Sequence, residues 1–169
     1  MNPQKCPCGS NKPAPYCCQM YLSGKKQPET AEKLMRSRYT AFFFGNIDYL
    51  INTLDPDRRQ ESDRTELTKS VSNTQWLGLT VIDTRKGTKQ DSTGIVEFEA
   101  IYQVHEQLGQ LHERSQFSKI NGRWFYVDGD ILPGTIPHPK APCWCGSGKK
   151  YQHCHGAKNR GSTELTVYN

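Results

Sequence analysis

The chain has 169 residues, a mean hydropathy of -0.78 and a formal charge of +5. This length suits one domain with small appendages. No segment approaches the roughly 20 consecutive apolar residues that a membrane-spanning helix needs, so a membrane protein is not expected. Residues 1–5 are polar, and we therefore expect no secretory signal and a cytoplasmic location, where cysteine thiols stay reduced.

The positive charge is a weak argument for nucleic-acid binding. Seven cysteine thiolates holding two zinc ions would lower the net charge to about +2. A nucleic-acid-binding domain is expected to carry a clustered basic face instead. We assign Arg36, Arg58 and Arg59 to a solvated surface, because no such cluster surrounds them in the sequence.

The first element in the chain is a cysteine motif of pattern C-x-C-x8-C-C, formed by Cys6, Cys8, Cys17 and Cys18. Two cysteines separated by one residue in a tight turn can direct both sulfur atoms at one point. Gly9 follows them and permits the positive φ angle that such a turn often needs. Backbone N–H groups nearby can offset the negative charge of the thiolates. We predict a zinc-binding module over residues 1–24.

The central domain is predicted over residues 28–133 and begins with helices. One amphipathic helix is predicted over residues 31–44, because the apolar residues recur at helical spacing and Thr30 precedes them as an N-cap. A second, short helix is predicted over residues 47–54. Residues 57–73 are so polar that they favour either a solvated helix or a loop.

A two-residue alternation typical of strands follows the helices. It covers residues 96–104 and continues over residues 111–117. Asn121-Gly122 is a strong signal for a hairpin turn between two strands. One face of the next strand is predicted to carry Trp124, Tyr126 and Asp128. Helices followed by antiparallel strands indicate an α+β fold, with helices packed on a curved antiparallel sheet.

A second cysteine motif follows a proline-rich linker and repeats the first one near the other end of the chain. Its pattern is C-x-C-x8-C-H, formed by Cys143, Cys145, Cys154 and His155. His155 stands at the position of Cys18 in the repeat, and His153 is the alternative ligand. The module is predicted over residues 140–158, with a polar tail over residues 159–169.

Seven cysteines and one histidine divide into two sets of four ligands. One set has four cysteines and the other has three cysteines and a histidine, and both are typical of closed structural zinc sites. We therefore predict two structural zinc ions. An odd number of cysteines is awkward for disulfides. Iron–sulfur binding is the chemical alternative, but the histidine favours zinc.

The segment CWCGSGKKYQHCH at residues 143–155 resembles the SEC-C motif, a zinc-binding tail also found at the C-terminus of the SecA translocation ATPase. The whole chain resembles the bacterial YchJ-type family, which carries this motif at both ends. Residues 34–39, 76–81 and 113–117 look like central signatures of that family. The resemblance implies a cone-shaped, nuclear-transport-factor-2-like central domain and no established activity. The N-terminal copy departs from the motif at Asn11, Pro13 and Ala14.

A sheet of this shape often encloses a pocket. Polar residues on or near its apolar segments are the candidate pocket residues, namely Arg38, Tyr39, His112, Glu113, Arg114 and Asp128. Such groups can bind an anion or transfer protons. The simpler interpretation is a buried structural pair of Arg38 with Glu113, the other residues lying on the surface.

Three functions follow from these patterns. The favoured one is a protein-interaction module, in which the core presents zinc motifs to a protein or ribosomal partner. Its contact residues are predicted to be Lys149, Lys150 and Tyr151, while the N-terminal module docks on the core. The second is an enzyme or small-ligand binder that uses the pocket, although no catalytic fingerprint appears and an enzyme is not favoured. The third is a nucleic-acid binder that uses the basic C-terminal module.

Overall fold

The computed structural model describes residues 4–105, 107–134, 140–143 and 148–154. Its helices are α1 (Gln19–Leu22), α2 (Ala31–Phe44), α3 (Ile47–Asn52) and α4 (Asp63–Asn73). Its strands are β1 (Gln75–Lys86), β2 (Thr93–Val104), β3 (Gln107–Ile120) and β4 (Arg123–Leu132). Short 3-10 turns lie at Ala14–Tyr16, Pro56–Arg58 and Tyr151–His153.

Helix α2 has the bounds that its sequence predicts. The Thr30 side chain accepts a hydrogen bond from the Lys33 amide at 3.2 Å and thereby caps the first turn. Gly45 ends the helix with a φ angle of 73°, a left-handed conformation that glycine adopts without strain. Helix α3 ends two residues earlier than predicted, and the polar segment forms α4 from Asp63 onwards.

The four strands form one antiparallel sheet in the order β1-β2-β3-β4. Asn121 and Gly122 make the predicted tight turn between β3 and β4, with φ angles of 49° and 80°. Helix α2 packs on one face of the sheet. The core between them contains Leu34, Met35, Tyr39, Leu79, Val96, Phe98, Ala100, Phe117 and Trp124. The predicted α+β fold class is confirmed.

The pairing of β3 with β4 contains a β-bulge at Val127. Phe117 pairs with Tyr126, whereas the neighbouring Gln116 pairs with Asp128. Because paired residues share a face and successive residues alternate, the bulge moves Asp128 to the face opposite Tyr126. The prediction that Asp128 shares a face with Tyr126 is therefore wrong.

Arg38 is buried on α2, but its partners differ from the one expected. Its Nη1 donates to the Leu50 carbonyl at 2.7 Å and to Thr53 Oγ1 at 2.8 Å. Its guanidinium carbon lies 4.7 Å from the centroid of the Tyr126 ring. The ion pairs of the described residues do not include one between Arg38 and Glu113. Arg38 instead ties α2 to the end of α3.

We expect Arg38→Met to lower the free energy of unfolding by about 1–3 kcal/mol, because a buried carbonyl and a buried hydroxyl lose their donor. Chemical denaturation measures this change. Arg64→Met is the control, since Arg64 pairs with Asp48 on the exposed surface and contributes about 0–1 kcal/mol. Equal effects of the two substitutions would show that the bonds of Arg38 do not stabilise the fold.

Candidate metal centre

Four cysteine sulfur atoms converge near the N-terminus, all within 4.8 Å of one another, from Cys6, Cys8, Cys17 and Cys18. The sulfur atoms of Cys8 and Cys17 are 3.6 Å apart, and those of Cys17 and Cys18 are 3.9 Å apart. A tetrahedral zinc ion with bonds of about 2.3 Å to sulfur holds its ligands about 3.8 Å apart. The cluster therefore fits one tetrahedral metal ion.

A small hairpin holds the first two cysteines. The Cys6 amide donates to the Lys12 carbonyl at 2.8 Å, and the Ala14 amide donates to the Gln4 carbonyl at 3.0 Å. Gly9 lies at the tip with a φ angle of 75°, as the sequence predicts. The 3-10 turn that follows brings Cys17 and Cys18 back to the first pair, and α1 begins directly after Cys18.

The thiols of the cluster bond to one another and to nearby hydroxyls. Hydrogen bonds with Cys18 and then Cys8 hold the pKa of Cys6 far below its usual range, whereas the bond with Cys6 raises the pKa of Cys18. Ser10 Oγ lies 3.2 Å from the Cys17 sulfur. The pKa of Cys8 is raised as well, so only Cys6 readily gives up its proton in this arrangement, and binding a divalent cation would release thiol protons.

The cluster is part of the protein core. Cys6, Cys8 and Cys18 are 4 %, 0 % and 1 % exposed and belong to the same buried set as the residues between α2 and the sheet. Thr40 on α2 places its Oγ1 3.8 Å from the Cys6 sulfur. Burial of this kind excludes water from the sulfur atoms and couples their position to that of the helix.

Arg36 is a contact that the sequence interpretation missed. Its Nη1 donates to the Cys8 carbonyl at 2.6 Å, and its Nε donates to Glu32 at 2.8 Å. The assignment of Arg36 to a solvated surface is therefore wrong. The sequence feature that indicates this contact is the four-residue spacing of Arg36 and Thr40, which puts both residues on one face of α2 beside the apolar stripe.

Gly9 makes the closest approach of the N-terminal hairpin to the sheet. A Cβ atom at this position would lie 2.5 Å from the Leu79 carbonyl oxygen of β1. Only a residue without a side chain allows this approach, so the hairpin tip and the strand backbone are in direct contact.

The described part of the C-terminal motif repeats the same hairpin. The Cys143 amide donates to the Lys149 carbonyl at 2.8 Å, and the Tyr151 amide donates to the Ala141 carbonyl at 2.8 Å. The Cys154 amide closes the 3-10 turn at 3.0 Å from the Tyr151 carbonyl. Each bond has its counterpart at the equivalent position of the N-terminal motif, so the sequence repeat is also a structural repeat.

Two of the four predicted C-terminal ligands, Cys145 and His155, lie outside the described residues. Their role stays a prediction. Cys143 is buried and Cys154 is half-buried. Of the predicted contact residues, Lys149 and Lys150 are exposed and Tyr151 is half-buried.

Three of the six candidate pocket residues meet in a cavity of about 430 Å³ between the helices and the sheet, namely Arg38, Tyr39 and Glu113. His112 and Arg114 do not line it, because neighbours of Glu113 on a strand point to the opposite face. Asp128 does not line it either, since the β-bulge turns it away. Its carboxylate lies 3.7 Å from Nη1 of Arg58 at the surface.

On the opposite face of the sheet, Glu97 binds His112 and Arg114, two of the three candidate residues that do not line the cavity. Its carboxylate lies 3.0 Å from His112 Nε2 and accepts from Arg114 at 2.8 Å. His112 Nδ1 lies 2.9 Å from the Pro133 carbonyl. Burial opposes protonation of His112, but the bonds to Pro133 and Glu97 outweigh it and raise the pKa. Both ring nitrogens face acceptors, so the imidazolium form fits this site.

The fold and the cysteine repeat define a class, an α+β protein with a nuclear-transport-factor-2-like middle domain and a metal-binding cysteine motif. Residues 30–129 match the family described as YchJ, middle NTF2-like domain, and residues 140–157 match the SEC-C motif. A UPF0225 protein of Photorhabdus laumondii is 45 % identical over 156 residues, covering 89 % of this chain and 98 % of that protein. The chain belongs to the YchJ, or UPF0225, family.

Two solved structures agree with this assignment. The solution structure of a SEC-C motif containing protein from Rhodopseudomonas palustris has a TM-score of 0.70 and 34 % identity, covering 77 % of this chain and 100 % of that one. The crystal structure of a sec-c motif containing protein from Psychrobacter arcticus has a TM-score of 0.65 and 30 % identity, covering 91 % and 96 %. Within the described residues, no helix is long and apolar enough to cross a membrane.

We expect Gly9→Ala to destabilise the protein more than Gly24→Ala. Both glycines have nearly equal φ angles, 75° and 73°, but a Cβ at Gly24 meets nothing within 4 Å. Gly24→Ala should therefore cost only the conformational strain of about 1–2 kcal/mol. Gly9→Ala adds the collision with Leu79. Thermal unfolding of the zinc-loaded proteins measures both, and equal losses would contradict the docking of the hairpin on β1.

We expect His112 to make stability depend on pH. A raised folded-state pKa means that its contribution is fully present below the ordinary histidine pKa of about 6.5 and is lost as pH rises through the folded value. The difference in unfolding free energy between wild type and His112→Gln should thus shrink from pH 6 to pH 8.5. His105→Asn is the control, since His105 is exposed. A difference that stays constant with pH would contradict the prediction.

Proposed function

We propose that this protein is a cytoplasmic, zinc-binding interaction module. The N-terminal site holds a structural zinc ion that fastens the chain to the core. The C-terminal motif holds a second zinc ion and contacts a protein or ribosomal partner. The observation that carries this proposal is that two hairpins with the same backbone hydrogen bonds have different surroundings and surface residues.

The donor set supports zinc at the N-terminal site. Four thiolates in tetrahedral spacing are typical ligands of a closed structural zinc ion. Four protein ligands leave no position for water or substrate, so this site suits a structural role and not a catalytic one. The matching hairpin and the SEC-C motif support the same ion at the C-terminal site.

The contacts of the N-terminal motif support a structural role, in which the motif holds the N-terminal segment against the core. Arg36 from α2 binds the Cys8 carbonyl, and Gly9 lies against β1. Three of the four cysteines are in the core. Metal binding therefore stabilises the packing of a helix and a strand as well as the loop that carries the ligands.

The surface of the C-terminal hairpin supports a contact role. Lys149 and Lys150 are exposed beside Tyr151 on a backbone held by its own hydrogen bonds. At the equivalent positions the N-terminal hairpin has Pro13 and Ala14 after Lys12. A rigid surface that joins two cations to an aromatic ring suits an acidic patch on a protein or a ribosomal particle.

Purified protein should carry two zinc ions per chain, because eight ligands are available in two sets of four. Elemental analysis after expression in zinc-replete medium measures the ratio. His155→Ala should weaken only the second site, since three thiolates remain there. A ratio of one or none in the wild-type protein would contradict the proposal.

Cys6→Ser and Cys143→Ser remove equivalent ligands from the two motifs and should have opposite effects. Cys6→Ser should lower the melting temperature by about 5 °C or more, because losing about 2 kcal/mol has this effect in a chain of this size. It should leave partner capture intact. Cys143→Ser should preserve the melting temperature and abolish zinc-dependent capture from cell extract.

The two melting temperatures decide between the roles. If Cys143→Ser destabilises the core as much as Cys6→Ser does, both motifs are structural and the contact role of the second one fails. Capture of nucleic acid alone, with an affinity that falls steeply with salt, would favour the nucleic-acid alternative.

A further inference from the structure

The cavity in the middle domain lies between α2, α4 and the face of the sheet that packs against α2, and it has a volume of about 430 Å³. This is the size of a pocket for a small organic molecule. Its walls are rich in aromatic rings, contributed by Phe42, Trp76, Phe98, Phe117 and Tyr126. The Trp76 ring lies 5.8 Å from that of Phe42, and the Phe117 ring lies 5.9 Å from that of Tyr126.

Three carboxylates line the cavity against a single cationic side chain. Glu113 comes from β3, and Asp63 and Glu66 come from α4. The ion pairs of the described residues include none of these three carboxylates. The cation is Arg38, whose Nη1 is already bonded to α3. The lining is therefore negatively charged.

Glu113 is held in a fixed position within the cavity. Its Oε1 accepts from Ser115 Oγ at 2.6 Å and from Tyr126 Oη at 3.2 Å. A side chain at Gly129 would collide with its carboxylate, so the glycine makes room for it. Within the described residues, no group donates to its Oε2. One carboxylate oxygen is thus fixed by the protein, and the other is available to a ligand.

We propose that this cavity binds a small organic ammonium compound with an aromatic body. The ammonium group donates to Oε2 of Glu113, and the body lies among the rings. Aromatic faces attract cations, and the carboxylates of α4 add to the negative potential at the mouth. Burial lowers the pKa of Arg38 to about 10, which leaves it charged at neutral pH. The positive charge of Arg38 is already stabilised by its hydrogen bonds at the end of α3 and by its contact with the Tyr126 ring.

Three probes with similar bodies and different charges test the proposal: 2-phenylethylamine, 3-phenylpropanamide and 3-phenylpropionate. Calorimetric titration into the full, zinc-loaded chain gives the affinities. We expect the amine to bind about tenfold more tightly than the amide, as a buried charged hydrogen bond implies, and the carboxylate to bind most weakly. Amide or carboxylate binding as tight as that of the amine, or no amine binding at 10 mM, would overturn the proposal.

Two substitutions locate the site. Glu113→Gln removes the charge and keeps the shape, and we expect it to weaken amine binding about tenfold. Glu61→Gln is the matched control, since Glu61 is an exposed carboxylate outside the cavity lining. We expect the Glu61→Gln protein to bind the amine as tightly as wild type does. If Glu113→Gln fails to fold, Leu67→Trp replaces it, because a larger side chain on the half-buried α4 wall fills the cavity. Unchanged amine affinity in the folded variant would place the binding elsewhere and overturn the proposal.

Discussion

Helix α2 packs against the sheet on one side and against the cysteine cluster on another. The arrangement of the whole chain depends on these two contacts of one helix. One side of the helix closes the sheet through Leu34, Met35 and Tyr39, while Arg36 and Thr40 contact the cysteine cluster. The cluster and the middle domain consequently share one core. A ligand that binds only the folded state stabilises that state, so metal affinity and core stability are linked in this protein.

The two hairpins show how a repeat can diverge in sequence without losing its backbone. Asn11 replaces Gly148 and still adopts a positive φ angle, 61° against 72°, which asparagine tolerates better than most residues. Pro13 lacks an amide hydrogen, but the hairpin bonds use the amides of Cys6 and Ala14, so none is lost. The substitutions change the side chains and keep the backbone. Ala14 packs against the core, whereas Tyr151 at the equivalent position of the other hairpin is half-buried beside two exposed lysines.

Local signals predicted most of the fold. The cap at Thr30 and the glycine at position 45 determine α2, and Asn121-Gly122 determines the β3–β4 turn. These features depend on a few adjacent residues, which the sequence displays directly. The grouping of the cysteines could also be predicted from the sequence, because the same spacing occurs twice. The four N-terminal sulfur atoms do converge in the structure.

The remaining parts depend on contacts between distant segments. The bulge at Val127 has no sequence signal of its own and reverses the direction of Asp128. The predicted pocket includes His112 and Arg114 together with Glu113. Neighbouring residues on a strand point to opposite faces, so the two-residue period of the strand excludes them from the face of Glu113. The partners of Arg38 at the end of α3 could not be predicted from the pattern of charges, because they are a carbonyl and a hydroxyl rather than a carboxylate.

The position of Gly9 on Leu79 has a consequence for the association of chains with one another. Strand β1 is at one edge of the four-stranded sheet, and the tip of the cysteine hairpin lies against its backbone at Leu79. An uncovered edge strand presents unpaired N–H and C=O groups that another chain can extend. If the hairpin left β1, strand backbone near Leu79 would be open to pairing with another chain. The contact at Gly9 therefore bears on self-association as well as on stability.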